Sequence, residues 1–217
     1  MTFATDVFAP NLFAGKTYLI SGAGGGVGSA TARLLHRLGA RLALTDIAGG
    51  ALQKTALPLD ALALVGDISS VAACEEIIAR TQTAFGRLDG LVNAAGIWVE
   101  RPSHLASEAE YDRCLAVNLK GTFFLCARAI PALAATRGAI VNISSDAGVV
   151  GNAGAAIYCA SKGAVTVMTK ALARELAPQG IRVNALCPAD IQSPMLQAQA
   201  ARYGAGDPQA YFAQLLA

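Results

Sequence analysis

A glycine-rich segment near the N-terminus constrains this chain more than any other feature of its sequence. It reads S-G-A-G-G-G-V-G over residues 21–28, between an apolar run at 17–21 and helical spacing at 29–38. Glycines let the backbone turn tightly and approach a phosphate without a Cβ clash, and a helix N-terminus presents free N–H groups. The segment therefore predicts a dinucleotide phosphate site, although a plain flexible turn has a similar composition. The expected contacts are Gly22, Gly24, Gly25, Gly26, Val27 and Gly28.

Short apolar runs alternate with helix-length segments along the chain. This alternation predicts an α/β fold, a single Rossmann-like, doubly wound parallel sheet with helices on both faces. Residues 1–217 contain no repeat or linker, so we expect one NAD(P)-binding domain, with 192–217 as a mobile, partly helical substrate cap. The expected strands are 17–21, 41–45, 61–65, 90–93, 139–144 and 181–186, and the expected helices are 29–38, 71–85, 111–135 (interrupted near Pro131) and 156–177.

Polar or small residues follow the next three predicted strands. Asp46 ends the second strand, where a carboxylate can accept hydrogen bonds from ribose hydroxyls and repels a 2′-phosphate. No Arg or Lys lies in the glycine segment or between Asp46 and Lys54, so the sequence favours NAD over NADP. Alternatively, Asp46 only caps the next turn. Asp67 follows the third strand, and Asn93, Ala94, Ala95 and Gly96 follow the fourth, at the sheet edge where ligands bind.

Tyr158 and Lys162 stand four residues apart in a predicted helix, so their side chains share one face. A nearby ammonium group favours the phenolate and can lower a phenol pKa by roughly 1–3 units from about 10. Ser145 ends the fifth strand, and its hydroxyl could hold a substrate oxygen beside the phenol or simply cap a turn. Strand alternation points the neighbouring Ser144 the other way.

Composition narrows the classes of protein. Hydrophobic residues make up 54% and charged residues 15%, which predicts helices buried on more than one side and large subunit interfaces. A net charge of +2 without a basic run gives no indication of a nucleic-acid or membrane surface. Five cysteines without a C-x-x-C predict reduced thiols in the cytoplasm and no metal site. We see no signal peptide and no apolar run of the roughly 20 residues that span a bilayer.

Several motifs occur in one order along the chain. They are S-G-A-G-G-G-V-G at 21–28, Asp46, Asp67, N-A-A-G at 93–96, V-N-L-K-G-T-F at 117–123, I-V-N-I-S-S at 140–145, Y-C-A-S-K at 158–162 and C-P-A-D-I-Q-S-P-M at 187–195. From about residue 12 onward the chain resembles the short-chain dehydrogenase/reductase family, classical type. Each motif is common alone, but the combination is very specific.

The resemblance implies roles for the matching residues. Tyr158 is the acid–base residue, Lys162 holds the nicotinamide ribose and assists Tyr158, and Ser145 positions the substrate oxygen. Asn118 helps to hold a proton-relaying water. The resemblance also implies a homodimer or homotetramer, joined through the helices at 111–135 and 156–177, which are apolar on more than one side. Further cofactor contacts are expected from Ile47, Ile68, Pro188, Ala189, Ile191 and Ser193.

The chain departs from the family's pattern at three places. Ser21 stands where the family usually has Thr, which keeps the hydroxyl. Ala189 stands where Gly usually follows Pro188, so an added methyl could crowd the nicotinamide end. The family also continues with another helix and a seventh strand, which we expect to be absent from this chain. The glycine spacing fits the longer sugar-nucleotide epimerases too, but the N-A-A-G segment argues against them.

We expect an NAD-dependent oxidoreductase that interconverts an alcohol and a carbonyl. The alternatives are an NADP-dependent 3-oxoacyl-carrier-protein reductase and a non-catalytic nucleotide-binding protein of the same fold. A polyol, sugar, hydroxy acid, steroid or cyclic diol all remain possible substrates. The expected substrate walls are Ile97, Trp98, Asp146, Asn152, Ile157 and the cap.

Overall fold

The computed structural model describes residues 7–204 and 206–215. Six strands pair in parallel in the order β3-β2-β1-β4-β5-β6. Because the order reverses between β1 and β4, a crevice opens there at the carboxyl ends of the strands. The strands are β1 Thr17–Ser21, β2 Arg41–Asp46, β3 Leu62–Val65, β4 Gly90–Asn93, β5 Ala139–Ile143 and β6 Arg182–Leu186.

Helices cover both faces of the sheet, which confirms the predicted fold class. Successive strand residues point to opposite faces, so Leu19 joins a core beneath α3, α5 and α6, while Ile20 joins a second core beneath α1 and α2. The helices are α1 Gly26–Arg37, α2 Gly49–Ala56, α3 Val71–Phe85, α4 Glu108–Leu115, α5 Thr122–Thr136, α6 Ala156–Leu176, α7 Pro194–Tyr203 and α8 Pro208–Leu215.

Two expectations about the helices were wrong. Helix α2 was not predicted, because it begins with Gly49 and Gly50, residues of poor helix propensity. The long helical stretch is not interrupted near Pro131, which lies inside a continuous α5. Instead the α-helical pattern changes to a π-helix over Ala116–Gly121, between α4 and α5. The expected cap segment forms α7 and α8 over its described residues.

The described residues were also examined for two further features, a membrane-spanning helix and a cluster of metal ligands. Among these residues, no helix combines the length and the apolar character needed to cross a bilayer. Over the same part of the chain, no group of three or more His, Cys, Asp or Glu side chains is arranged to hold a metal ion.

We predict that the chain forms at least a dimer through α5 and α6. Phe123 on α5 and Val167 on α6 are 41% and 65% exposed, and such apolar surface is costly in water unless a partner covers it. Val167→Glu should shift the assembly towards monomer, measured as mass by light scattering at micromolar concentration. Leu57→Glu, at an equally apolar exposed site beyond α2, should leave the mass unchanged. A monomeric unmodified chain would contradict the prediction.

Candidate active site

Two adjoining cavities lie at the carboxyl edge of the sheet. The larger, about 460 Å³, runs along the glycine segment and the ends of β2, β3 and β4. The smaller, about 130 Å³, is lined by Ser145, Tyr158 and Lys162. Both share the wall residues Val27, Ala94, Gly96, Ser193 and Met195, so they form one continuous site.

Most of the predicted cofactor residues lie on these walls. The larger cavity is lined by Gly22, Gly25, Gly26, Val27, Gly28, Asp46, Ile47, Asp67, Ile68, Ala94, Ala95, Gly96 and Ser193. The smaller adds Tyr158, Lys162, Pro188, Ala189 and Ile191. Gly24 and Asn93 lie on neither wall.

The glycine turn brings two strand ends into direct backbone contact. Gly22 has a φ of +68°, and a Cβ there would lie 2.5 Å from the backbone nitrogen of Ala95. A larger residue would therefore push the turn after β1 away from the segment after β4. Helix α1 then begins at Gly26 without a cap from any described side chain, so its first N–H groups remain available to an anion at the cavity wall.

Asp46 holds the turns on both sides of it. Its Oδ2 accepts a hydrogen bond from the Gly24 N–H at 2.9 Å, and its Oδ1 accepts one from the Ala48 N–H at 2.9 Å. Asp46 therefore does cap the turn that follows it, as the alternative in the sequence analysis stated. A cofactor contact of Asp46 stays a prediction that is compatible with these bonds, because each carboxylate oxygen has a second lone pair and Asp46 also lines the cavity.

Asn93 belongs to a buried polar row rather than to the cavity wall. Its Nδ2 donates to Asn142 Oδ1 at 2.9 Å, and Asn142 Nδ2 donates to Thr169 Oγ1 on α6 at 3.0 Å. Ser21 Oγ lies 3.5 Å from Asn93 Oδ1. The row links the ends of β1, β4 and β5 to α6. A direct contact of the Asn93 side chain with cofactor stays a prediction, and the structure places that side chain away from the cavity.

Asn118 sits in the π-helical segment and is fully buried. Its Oδ1 accepts from the Ile97 N–H at 2.8 Å, and its Nδ2 donates to the Ile97 carbonyl at 3.0 Å and to Ser161 Oγ at 3.0 Å. Its own carbonyl accepts from Thr122 Oγ1 at 2.8 Å. Asn118 therefore joins the loop after β4 to α6, and its role in holding a water stays a prediction.

The catalytic candidates converge at the smaller cavity. Tyr158 and Lys162 on α6 are 7% and 5% exposed, and the Lys162 ammonium lies 5.8 Å from the centre of the Tyr158 ring. Lys162 Nζ donates to the Ile143 carbonyl at 2.8 Å, and two of its three donors remain. Ser144 donates to the Lys162 carbonyl at 2.8 Å, whereas Ser145 donates to Asp146 Oδ1 at 2.9 Å.

Burial governs the ionisation of this pair in the ligand-free protein. Desolvation raises the pKa of Tyr158 to about 12, against the opposing effect of the nearby Ser145 hydroxyl. Desolvation likewise lowers the pKa of Lys162 to about 8. The expectation of a Tyr158 pKa below that of a free phenol was therefore wrong for this state, because spacing along a helix carries no information about desolvation.

The substrate end of the cavity differs in part from expectation. Trp98, Asp146 and Asn152 line it, but Ile157 lies on a separate surface pocket, and Ile97 lines the larger cavity. Ile157 and Ile97 therefore do not line the smaller cavity, which corrects the expected substrate walls.

Two residues of this wall, Gln199 and Asp190, were not predicted from the sequence. Gln199 on α7 is only 9% exposed and lines the smaller cavity. Asp190 lines it too, and burial and then the charge of Asp146 raise its pKa. No motif marks Gln199, whereas Asp190 lies in the C-P-A-D-I-Q-S-P-M motif at 187–195 without having been given a role. The one sequence signal that could have indicated Gln199 was its amide side chain within the predicted cap segment.

Comparisons with known proteins place this arrangement in a family. The short chain dehydrogenase family matches residues 16–204. The chain is 37% identical to the meso-2,3-butanediol dehydrogenase of Serratia marcescens over 186 residues, 84% of this chain and 74% of that protein.

Two solved structures are similar along most of their length. Levodione reductase matches with a TM-score of 0.85 and 31% identity, over 91% of this chain and 80% of that one. The 3-ketoacyl-(acyl-carrier-protein) reductase from Brucella melitensis, complexed with NADH, matches with a TM-score of 0.79 and 32% identity. The match covers 84% of this chain and 78% of that one.

We predict a pH-dependent stability contribution from Lys162. Because its pKa is lowered from 10.5 to about 8, the unfolded chain binds more protons between these values, and the native protein gains stability as pH rises. Lys162→Met removes this gain. The stability of the Met variant relative to the unmodified protein should therefore fall by up to about 3 kcal/mol from pH 8 to 10.5, measured by urea unfolding.

Lys170→Met is the matched control, because Lys170 is exposed on the same helix. This variant should show no such pH-dependent difference. A constant difference for Lys162→Met across the range would mean that the native protein does not lower the pKa of Lys162.

Proposed function

The chain belongs to the short-chain dehydrogenase family, and from this premise we propose that it is an NAD-dependent oxidoreductase that interconverts an alcohol and a carbonyl. The observation that carries the proposal is the convergence of Ser145, Tyr158 and Lys162 on a cavity continuous with the glycine-lined one. A proton donor and a dinucleotide cradle therefore open into the same space.

The residues present fit a nicotinamide dinucleotide. A Cβ at Gly22 would close the turn against Ala95, and the uncapped start of α1 offers N–H groups for phosphates. Asp46 would hold ribose hydroxyls, and Lys162, Pro188 and Ile191 would hold the nicotinamide end. When bound, this group supplies the site that accepts or gives up the hydride.

Tyr158 performs the proton transfer. In reduction its phenol donates a proton to the carbonyl oxygen, and its raised pKa keeps that proton in place at neutral pH. In oxidation its phenolate accepts the hydroxyl proton. The Lys162 ammonium favours this phenolate by its charge. Ser145 holds the reacting oxygen when its hydroxyl turns from Asp146 Oδ1 towards the substrate.

Charge in the site supports NAD and an uncharged or hydroxylated substrate. The Asp46 carboxylate repels a 2′-phosphate by roughly 4 kcal/mol at about 4 Å and an effective dielectric near 20. At the other end, Asp146 and Asp190 disfavour anionic substrates, while Gln199 and Asn152 can hydrogen bond to a second oxygen.

A second candidate is an acyl-carrier-protein reductase, favoured by the resemblance to the Brucella melitensis enzyme. The two carboxylates at the wall of the smaller cavity speak against it, because a carrier-bound acyl chain brings phosphate with it. A panel of uncharged secondary alcohols and acyl thioesters, followed by NADH absorbance, separates the two. Turnover of neither substrate class, with NAD and NADH or with NADP and NADPH, would favour the non-catalytic alternative.

We predict that Asp46 selects the cofactor. Asp46→Ala removes both the ribose hydrogen bonds and the repulsion, so the preference for NAD over NADP should fall by at least tenfold in kcat/KM. Ile47→Arg in that background should improve use of NADP further. Asp60→Ala, which changes an exposed carboxylate beyond α2, is the control. Equal use of both cofactors by the unmodified enzyme would show that Asp46 does not have this role.

We predict that Tyr158→Phe keeps cofactor binding and loses turnover. The ring still packs against Trp98 but carries no transferable proton, so kcat should fall roughly 10²–10⁴-fold while the dissociation constant for NADH stays unchanged. Stopped-flow kinetics and calorimetry measure the two quantities. Tyr111→Phe, on an exposed tyrosine of α4, should change neither. Normal turnover in Tyr158→Phe would remove Tyr158 from the chemistry.

A further inference from the structure

One carboxylate oxygen joins the cap to the catalytic cavity. Glu100, in the loop after β4, uses Oε2 to accept a hydrogen bond from Trp98 Nε1 at 3.0 Å and another from the Tyr211 hydroxyl at 2.7 Å. Trp98 lies two residues before Glu100 in the same loop. Tyr211 belongs to α8, 111 residues away along the chain, and is only 8% exposed.

Trp98 is in contact with the acid–base candidate. The indole and the Tyr158 ring have centroids 4.3 Å apart and planes inclined by 51°. Both belong to a small apolar cluster with Ala147 and Ala155. Because interiors pack closely, rotation of the indole would force the phenol ring to move. The bond from Trp98 to Glu100 therefore limits the orientations open to Tyr158.

Tyr211 fixes the cap at the other side of Glu100. Helices α7 and α8 meet at a tight turn, where a Cβ at Gly204 would lie 3.3 Å from the Tyr211 Cβ. Helix α7 carries Met195 and Gln199 into the wall of the smaller cavity. When the Tyr211 hydroxyl is bound to Glu100, these wall residues are held over the cavity.

We propose that Glu100 is a positioning residue that couples docking of the cap, α7 and α8, to the alignment of Tyr158 through Trp98. Losing the Tyr211 bond would free the cap and also loosen the acceptor that orients the indole. The consequence for catalysis rests on the proposed function, but the coupling between cap and indole does not.

The chemistry of the three groups suits a link of this kind. Hydrogen bonds to an ionised carboxylate are stronger than neutral ones, and two donors on one oxygen hold it from two directions. Burial and then the hydrogen bond to Glu100 raise the pKa of Tyr211, so its hydroxyl remains a donor throughout the physiological range. A carboxamide at position 100 would keep an acceptor oxygen without the charge.

Trp98 is the single tryptophan of the chain, so its fluorescence reports the link directly. Tyr211→Phe removes one hydroxyl and should lower the ratio of docked to undocked cap about tenfold, or about 1.4 kcal/mol. The indole should then become more accessible to acrylamide and its emission should shift to the red. Tyr203→Phe is the control, because it removes another tyrosine hydroxyl of the cap and leaves the bond from Tyr211 to Glu100 in place.

Kinetics test whether the link reaches Tyr158. In Tyr211→Phe and Glu100→Gln, kcat for alcohol oxidation should fall about tenfold. KM for NAD is not the diagnostic quantity, because Met195 of the cap also lines the larger cavity. The kcat of Glu100→Ala should fall further than that of Glu100→Gln. Trp98→Phe keeps an aromatic ring but has no N–H donor. Adding Tyr211→Phe to this variant should therefore lower kcat by a much smaller factor than Tyr211→Phe does in the unmodified enzyme.

The outcomes separate this inference from the proposed function. Unchanged Trp98 emission and quenching in Tyr211→Phe would overturn the inference, whatever the activity. Additive losses in the double variant would also overturn it. If no alcohol is turned over, the proposed function fails, and the fluorescence comparison of Tyr211→Phe with Tyr203→Phe still decides the coupling.

Discussion

A buried row of polar side chains across three strand ends sets the geometry on which the site depends. Ser21, Asn93 and Asn142 are register partners on β1, β4 and β5, and Asn142 reaches Thr169 on α6. Buried amides without partners are costly, so a slip of one residue in any of these strands would leave donors unpaired. The row therefore fixes the glycine turn, the segment after β4, Ser145 and helix α6 relative to one another.

With α6 held in this register, the burial of Lys162 and Tyr158 follows. Lys162 Nζ donates to the Ile143 carbonyl at the end of β5, and Ser144, the residue after this strand, donates to the Lys162 carbonyl. Desolvation makes each charged form unfavourable in the ligand-free protein, which lowers the lysine pKa and raises the phenol pKa. The fold thus tolerates a costly buried ammonium group where the proposed chemistry needs positive charge beside a phenol.

The loop after β4 joins these two halves of the molecule. Asn118 hydrogen bonds to the backbone of Ile97 at both N–H and carbonyl, and the next residue, Trp98, packs against Tyr158. Glu100 then connects the loop to Tyr211 in the cap. A segment without regular secondary structure is held through its backbone at one end and through a carboxylate at the other. This is how residues far apart in sequence come to share one cavity wall.

The sequence by itself determined the parallel sheet and most helices, and it pointed to the candidate reacting groups, because these depend on local periodicity and on motifs at strand ends. It did not determine α2, the π-helical segment around Asn118 or the continuity of α5 through Pro131, since packing overrides weak local propensity. Only the tertiary structure decided the direction of the pKa shifts, the hydrogen bonds of Glu100 and the place of Gln199 on the cavity wall. Desolvation and long-range contacts arise when distant segments meet, and no spacing along the chain encodes them.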